Sequence, residues 1–208
     1  MSAEPVVVIG AGGHGKVVVS TLLAAGIRIP CVLDDDREKW GSEIFGVPVR
    51  GPVSDGVGSG RVGVLGIGRN GERKRIAEAL NLDWATVIHP HAWVHPSVSL
   101  GAGSVVFAGA MIQPDTVIGR HVIVNTGAMI DHDCEIGDYA HVAPGVKLSG
   151  GVRLGEGVFL GIGSCAIPSV QVGEWTTVGA GAAVVSDLPS EVIAVGVPAR
   201  VLERKGNR

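Results

Sequence analysis

The chain has 208 residues and a formal net charge of −3, with 46% hydrophobic but only 4% aromatic residues. That length gives room for one large or two modest domains with a real core, the charge offers no basic surface for nucleic acid, and no apolar run suits a membrane span or a signal peptide. Cys31, Cys134 and Cys165 lack the paired spacing of a disulfide framework or zinc site, so a soluble protein of the reducing cytoplasm is expected, with Cys134 and Cys165 as small core residues.

Pro5 to Gly10 reads as a buried parallel strand, and a turn with glycines at 10, 12, 13 and 15 leads into a helix over Val17 to Ala25. A second strand, Cys31 to Leu33, ends in Asp34, Asp35 and Asp36. Strand, glycine turn, helix, strand and acid is the order of a nucleotide-binding βαβ unit, in which N–H groups at a helix N-terminus receive phosphate. Gly12, Gly13, His14, Gly15 and Lys16 are therefore candidate phosphate contacts, and Asp34 and Asp35 could face a ribose, a sugar amine or solvent. The glycine spacing departs from G-x-G-x-x-G, so tight strand-to-helix packing is the competing reading of the turn. A further strand, Arg61 to Gly66, leads through Ile67 to Asn70 into a helix over Glu72 to Leu80, which makes Gly68, Arg69 and Asn70 a second candidate wall. No Pro- or Ser-rich linker follows, so domains 1–84 and 85–208 should abut closely.

From Ile88 to Val184 an aliphatic residue recurs every sixth position, with Ala166 the single small exception. Four positions after each comes a compact residue, as at Ser104, Ala110, Thr116, Val122, Ala128, Cys134 and Ala140. Neither the helical period of 3.6 nor the strand period of 2 sustains such a beat. A parallel β-helix does, with three hexads to a coil and each coil burying its face against the next. The expected architecture is an α/β, Rossmann-like βαβ domain followed by this β-helix. Outward positions still carry Val105, Met111, Val117, Ile123 and Met129, more apolar surface than a soluble monomer tolerates, which predicts a closed trimer.

Three stretches carry a family resemblance: the opening VVVIGAGGHGKVV, the strand end VLDDD, and the segment NTGAMIDHDCEIGDYAHVAPGVKLSGGVRLGEGVFLGIGS followed by VGVPAR. Together they resemble the left-handed β-helix nucleotide-sugar acetyltransferases of bacterial surface glycan synthesis, which act on UDP-linked bacillosamine precursors and GDP-perosamine, and the related sialic acid O-acetyltransferases. The resemblance implies a homotrimer, acetyl-CoA between adjacent β-helices, and a nucleotide-linked 4-amino-4,6-dideoxyhexose held by the N-terminal domain. It places the general base on His132 and its orienting acid on Asp133, and it implies pantetheine contacts from Gly150, Gly151, Gly161 and Ile162.

The residues alone leave the roles more open. His132 lies between Asp131 and Asp133 and should sit on the outer surface, where a neighbouring carboxylate would fix its tautomer and raise its basicity. The bland reading is a solvated pair at a coil edge. His141 follows nine residues later, half a coil away, and in a trimer could face His132 of the neighbouring subunit, contacting the thioester or acting as base in its place. His89, His91 and His95 form a cluster for which metal ligation is not expected, His121 is expected at the surface, and His14 could cover a phosphate or cap the helix. Rival readings are a sugar O-acetyltransferase with the same histidines, a β-helical carbonic anhydrase, which His121, His132 and His141 do not fit in spacing, and a non-catalytic nucleotide-sensing scaffold.

Overall fold

The computed structural model describes residues 4–56 and 60–202; the rest of the expected tail, 203–208, lies outside the described residues. The N-terminal unit begins with β1 (Val6–Ile9), α1 (Gly13–Ala24) and β2 (Val32–Leu33), continues through β3 (Glu43–Ile44), β4 (Val47–Arg50) and β5 (Val62–Leu65), and ends with α2 (Asn70–Ala79) and β6 (Asp83–Trp84). Its sheet runs β3-β4-β2-β1-β5-β6, parallel except for the β3 edge. The chain leaves β1 toward β2 on one side and later adds β5 on the other. The carboxyl ends of β1, β2 and β5 therefore open at a topological switch point, the usual ligand crevice of such sheets.

Both helices begin earlier than the sequence suggests, at Gly13 and Asn70, and neither N-cap makes a side-chain hydrogen bond. Three glycines build the crevice floor by close approach. A Cβ at Gly15 would lie 2.0 Å from the Gly10 carbonyl oxygen, one at Gly66 2.7 Å from the same atom, and Gly10 itself has φ +107°. Gly12 and Gly13 have open space around them and no positive φ.

The β-helix starts at Val87 and pairs strands eighteen residues apart, as in Val105↔Ile123 and Ile123↔His141, until the last coil, where Thr177 pairs with Ile193. Its first face stacks the strands that begin at Val87, Val105, Ile123, His141, Phe159, Thr177 and Ile193; the second carries Trp93 to Val184, and the third Ser99 to Val172. The alternation of large and compact side chains is realised inside, where Ser104, Ala110, Thr116, Val122, Ala128, Cys134 and Ala140 are fully buried between Ile112, Ile118, Val124, Ile130 and Ile136. The beat fails only at the open end: Ile88 is 39% exposed because no coil precedes it.

Each corner is a column of residues with positive φ, where Gly, Asn and Asp are favoured. The corner between the first and second faces holds Gly109, Gly127, Gly145, Gly163 and Gly181, and the second holds Asp115, Asp133, Gly151 and Ser169. The third mixes glycine with rings: Gly103, His121, Tyr139, Gly157 and Trp175. A Cβ at Gly103 would strike the His121 ring at 2.3 Å, and one at Gly157 the Trp175 ring at 2.4 Å, so each glycine admits the ring of the coil above.

The two units share an apolar core. Val87, Val105, Phe107 and Ile123, on the outer side of the first face, pack with Val6, Val8, Val18, Val19 and Leu22. Val105 and Ile123 are thus covered by the chain's own N-terminal unit and leave the expected trimer surface. His121 is likewise not a surface residue: it is buried, stacked on Tyr139 at 5.3 Å and edge-on to Trp84. Cys165 is exposed, because in the pair Cys165–Ala166 the alanine takes the inward position; Cys134 is buried as expected.

Candidate active site

A cavity of about 520 Å³ opens at the carboxyl ends of β1, β2 and β5. Gly12, Gly13, His14, Asp34, Asp35, Gly68 and Arg69 line it, whereas Gly15 packs against Gly10 and neither Lys16 nor Asn70 reaches its wall. The uncapped N-termini of α1 and α2 both border it, at Gly12–Gly13 and at Gly68–Arg69, and bring unpaired backbone N–H groups and two positive dipole ends to one crevice. Lys39 and Arg75 add cations the sequence reading missed; Lys39 sits in a short turn after β2, held 3.2 Å from Asp34.

Asp34 also accepts from the Ala11 amide at 2.7 Å and the Asp36 amide at 2.9 Å. Burial alone would raise its carboxyl, but those amides and Lys39 outweigh it and hold the group below its ordinary range. An ionised Asp34 therefore fastens the glycine turn to the end of β2, and Asp35 similarly accepts from the Val53 amide.

His132 occupies the second corner and is 60% exposed. Its Nδ1 lies 2.7 Å from Asp133 Oδ2, which leaves Nε2 as the bare nitrogen. The Asp133 hydrogen bond, aided by the charge of Asp131, raises the imidazole above its usual value. Asp133 can turn back onto the ring because it adopts φ +58° in the corner column. The ring lies over Gly150, where a Cβ would approach Cε1 to 2.5 Å, and the Gly151 amide donates to the His132 carbonyl at 2.9 Å. His132, Asp133, Gly150 and Gly151 thus form one cluster, and the glycine at 150 is what gives the ring its seat.

His141 lies on the first face, buried under the N-terminal unit, and belongs to a different cluster. Its ring is 6.1 Å from that of His14 and 5.2 Å from that of Phe159. Asn125 Oδ1 accepts from the Thr126 amide, which directs its Nδ2 toward His141 Nε2 at 3.0 Å. This network assigns the proton of a neutral His141 to Nδ1, a buried atom with no partner. Burial, then the charge of Arg73 and the neighbouring His14, push the imidazole down to about 3; the Gly68 carbonyl opposes the shift without closing a hydrogen bond of good geometry to Nδ1. Asn125 is a site residue that sequence reading missed, sixteen positions from its partner. Gly161 and Ile162 sit at the nearby first corner: a Cβ at Gly161 would strike the Ala180 amide at 2.6 Å, while Ile162 is 59% exposed.

His14 neither caps α1 nor reaches solvent freely. It packs on Phe107 at 5.4 Å with Nε2 buried and unpartnered, and burial together with Arg73 lowers it to about 4. It forms the wall between the cavity and His141. His89 and His91 contact each other edge-on at 5.3 Å, and no group of three or more His, Cys, Asp or Glu is placed to hold a metal ion among the described residues. No helix among them is long and apolar enough to cross a membrane.

Residues 5–80 match the family described as PglD N-terminal domain, and residues 115–150 match the bacterial transferase hexapeptide family of six repeats. A mutant of perosamine N-acetyltransferase from Caulobacter crescentus, in complex with CoA and GDP-perosamine, is 40% identical with a TM-score of 0.89, covering 96% of this chain and 97% of that one. The acetyltransferase domain of PglB from Neisseria gonorrhoeae FA1090, in complex with acetyl coenzyme A, is 39% identical with a TM-score of 0.89 over 96% and 99%. UDP-N-acetylbacillosamine N-acetyltransferase from Bacillus subtilis (strain 168) is 40% identical over 111 residues, 48% of this chain and 49% of that protein, so the match spans about half the length of this curated relative. With both family signatures and near-complete coverage of the perosamine enzyme, the chain belongs to the hexapeptide-repeat β-helix family of sugar N-acetyltransferases.

Proposed function

We propose that the protein is a cytoplasmic, acetyl-CoA-dependent N-acetyltransferase that acts on the amino group of a nucleotide-linked 4-amino-4,6-dideoxyhexose, with His132 as general base. The observation that carries the assignment of the base is the contrast between the two histidines. His132 has its Nδ1 proton engaged by Asp133, a raised basicity and a bare Nε2 at the surface. His141 has its Nε2 lone pair already facing the Asn125 amide and remains neutral down to about pH 3. Of the two, only His132 has a free lone pair basic enough to take a proton near neutrality.

Acetyl-CoA supplies a thioester carbonyl that an amine can attack directly, with the thiolate of CoA as leaving group. His132 Nε2 would take the proton released as the new C–N bond forms, while Asp133 steadies the imidazolium. His141 Nδ1–H is buried beside the Gly68 carbonyl without a well-formed hydrogen bond, and would donate to an oxygen of the pantetheine end where that end enters beneath the N-terminal unit. The crevice bordered by two bare helix N-termini, Lys39, Arg69 and Arg75 suits a nucleoside diphosphate.

His132 lies at the second corner and His141 on the first face of one β-helix, so we read a single subunit as presenting two half-sites rather than one. A cyclic trimer that sets one subunit's second corner against the next subunit's first corner, where Ile162 is exposed, would complete each site. The exposed stripe Trp93, Met111 and Met129 on the second face supplies apolar surface for that contact. Acetyl-CoA consumption measured with UDP- and GDP-linked amino sugars, against hydroxyl-only acceptors including sialic acid, tests the reading. Turnover confined to the hydroxyl acceptors would make the protein an O-acetyltransferase instead.

A further inference from the structure

Arg73, on α2, is the largest fully buried side chain among the described residues and stays charged, although desolvation pulls its guanidinium down to about 10. Burying a cation costs several kcal/mol, and the usual compensation is a carboxylate. Among the described residues none pairs with it. Its partners are carbonyls from both units, together with one side-chain amide oxygen. On the N-terminal side, Nη1 donates to the Ile67 and Gly68 carbonyls at 3.2 Å each, and Nη2 donates to Asn70 Oδ1 at 3.0 Å. On the β-helix side, Nε donates to the His121 carbonyl at 2.8 Å, and Nη2 to the Tyr139 and Ala140 carbonyls at 2.6 and 3.3 Å.

The two ends of this clamp meet the crevice wall and the His141 strand. Gly68 lies against His14, where a Cβ would sit 3.7 Å from the His14 side chain, and Ala140 is the residue before His141. Asn70 extends the clamp by donating to the Gly157 and Val158 carbonyls at 3.0 and 3.2 Å. We propose that Arg73 is a positioning residue: it fixes the phosphate-binding crevice relative to the His141 strand, and so sets where the acceptor amine of a nucleotide-linked sugar meets the acetyl group. The inference rests on the acetyltransferase reading above. Lysine cannot replace it, because three donors on one nitrogen cannot span carbonyls that five donors of a planar fork reach.

Arg73→Lys and Asn70→Ser in the full chain test this, with melting and oligomer mass checked first. In Arg73→Lys, binding of GDP or UDP and of acetyl-CoA by calorimetry should stay within about threefold, since Arg73 lines neither the crevice nor the His132 cluster. Turnover with the nucleotide-linked amino sugar should fall about a hundredfold, the scale of an ångström-sized misplacement, while acetylation of a free amino sugar lacking the nucleotide should change little. Asn70→Ser, which removes one acceptor of the guanidinium and two donors to the coil, should show the same split at smaller size and guards against a lysine variant that does not fold. Equal loss with both acceptors, or no loss with either, in a folded variant overturns the positioning role. A wild-type protein that acetylates no nucleotide-linked amino sugar would instead remove the reading on which it rests.

Discussion

Asp133 on one histidine, and burial beside Arg73 and His14 on the other, give the two rings opposite properties. A carboxylate on Nδ1 favours the protonated imidazole of His132, whereas burial, with Arg73 and His14 nearby, favours the uncharged ring of His141, whose Nε2 faces the Asn125 amide. His132→Ala should therefore cut turnover about a hundredfold, the usual scale of general base catalysis, while both substrates still bind. In the wild type the rate should fall as pH drops through the raised value of His132 and the base becomes protonated. Asp133→Asn removes the main cause of that elevation, so its acid limb should move to lower pH with a smaller loss of rate at neutrality. His141→Ala should lower the rate and leave the limb in place, since the native ring does not titrate near neutrality. A limb that disappears in the His141 variant and survives in the His132 variant would exchange the two roles. The first histidine was legible because its carboxylates are its neighbours in sequence. Asn125 and His141 become a pair only when one coil is wound, and the burial that sets their chemistry comes from the N-terminal unit.

The glycine turn is an element whose members look alike in sequence and differ in the fold. Gly15 has no space for a methyl group, with the Gly10 carbonyl oxygen 2.0 Å from its would-be Cβ, whereas Gly12 faces the cavity with nothing within 4 Å. Gly15→Ala should fail to fold or melt far below the wild type. Gly12→Val should keep its circular dichroism and its KM for acetyl-CoA, and raise the KM for the nucleotide sugar by about tenfold or more as the side chain occupies space meant for phosphate. An unchanged KM for the sugar in a folded Gly12 variant would move the nucleotide out of this crevice. The hexads were legible for a related reason: every coil repeats one rule, large then compact side chains pointing inward, so the rule survives any single exception such as Ala166. What lies on the outside of each coil follows no such rule. Val105, Ile123 and His141 hold the same outward register on three successive coils, and only the docking of β1 and α1 against them makes that face an interior.

At the scale of the whole molecule, neutral buried histidines and an apolar stripe set two conditions for the working protein. His14 and His121 are lowered to about 4 and His141 to about 3, each chiefly by burial, while an unfolded chain protonates all three near the ordinary value. Their folded values lie below the unfolded one, so stability is whole above roughly pH 6.5 and is lost as pH falls toward 4, by about 2 kcal/mol each at pH 5 for the two buried rings, His121 and His141. Melting scans should show a marked drop between pH 7.5 and 5, flattened in a His121→Gln variant; a flat profile in the wild type would mean these rings find partners or water on protonation. The second condition is assembly. His132 sits at the second corner and His141 beneath the N-terminal unit on the first face, so under the proposed shared site no subunit works alone, and turnover and oligomer should be lost together. Met111 and Met129 stack in register on the second face, 37% and 43% exposed, and glutamates there would bring like charges into an apolar contact. Met111→Glu/Met129→Glu should give a monomer by light scattering with its dichroism intact, still binding GDP or UDP at the crevice, which is built by one chain. Its acetyl transfer should fall to background. A monomeric variant with undiminished turnover would show that one subunit carries out the reaction alone, and His141 would then need a role other than completing its neighbour's site.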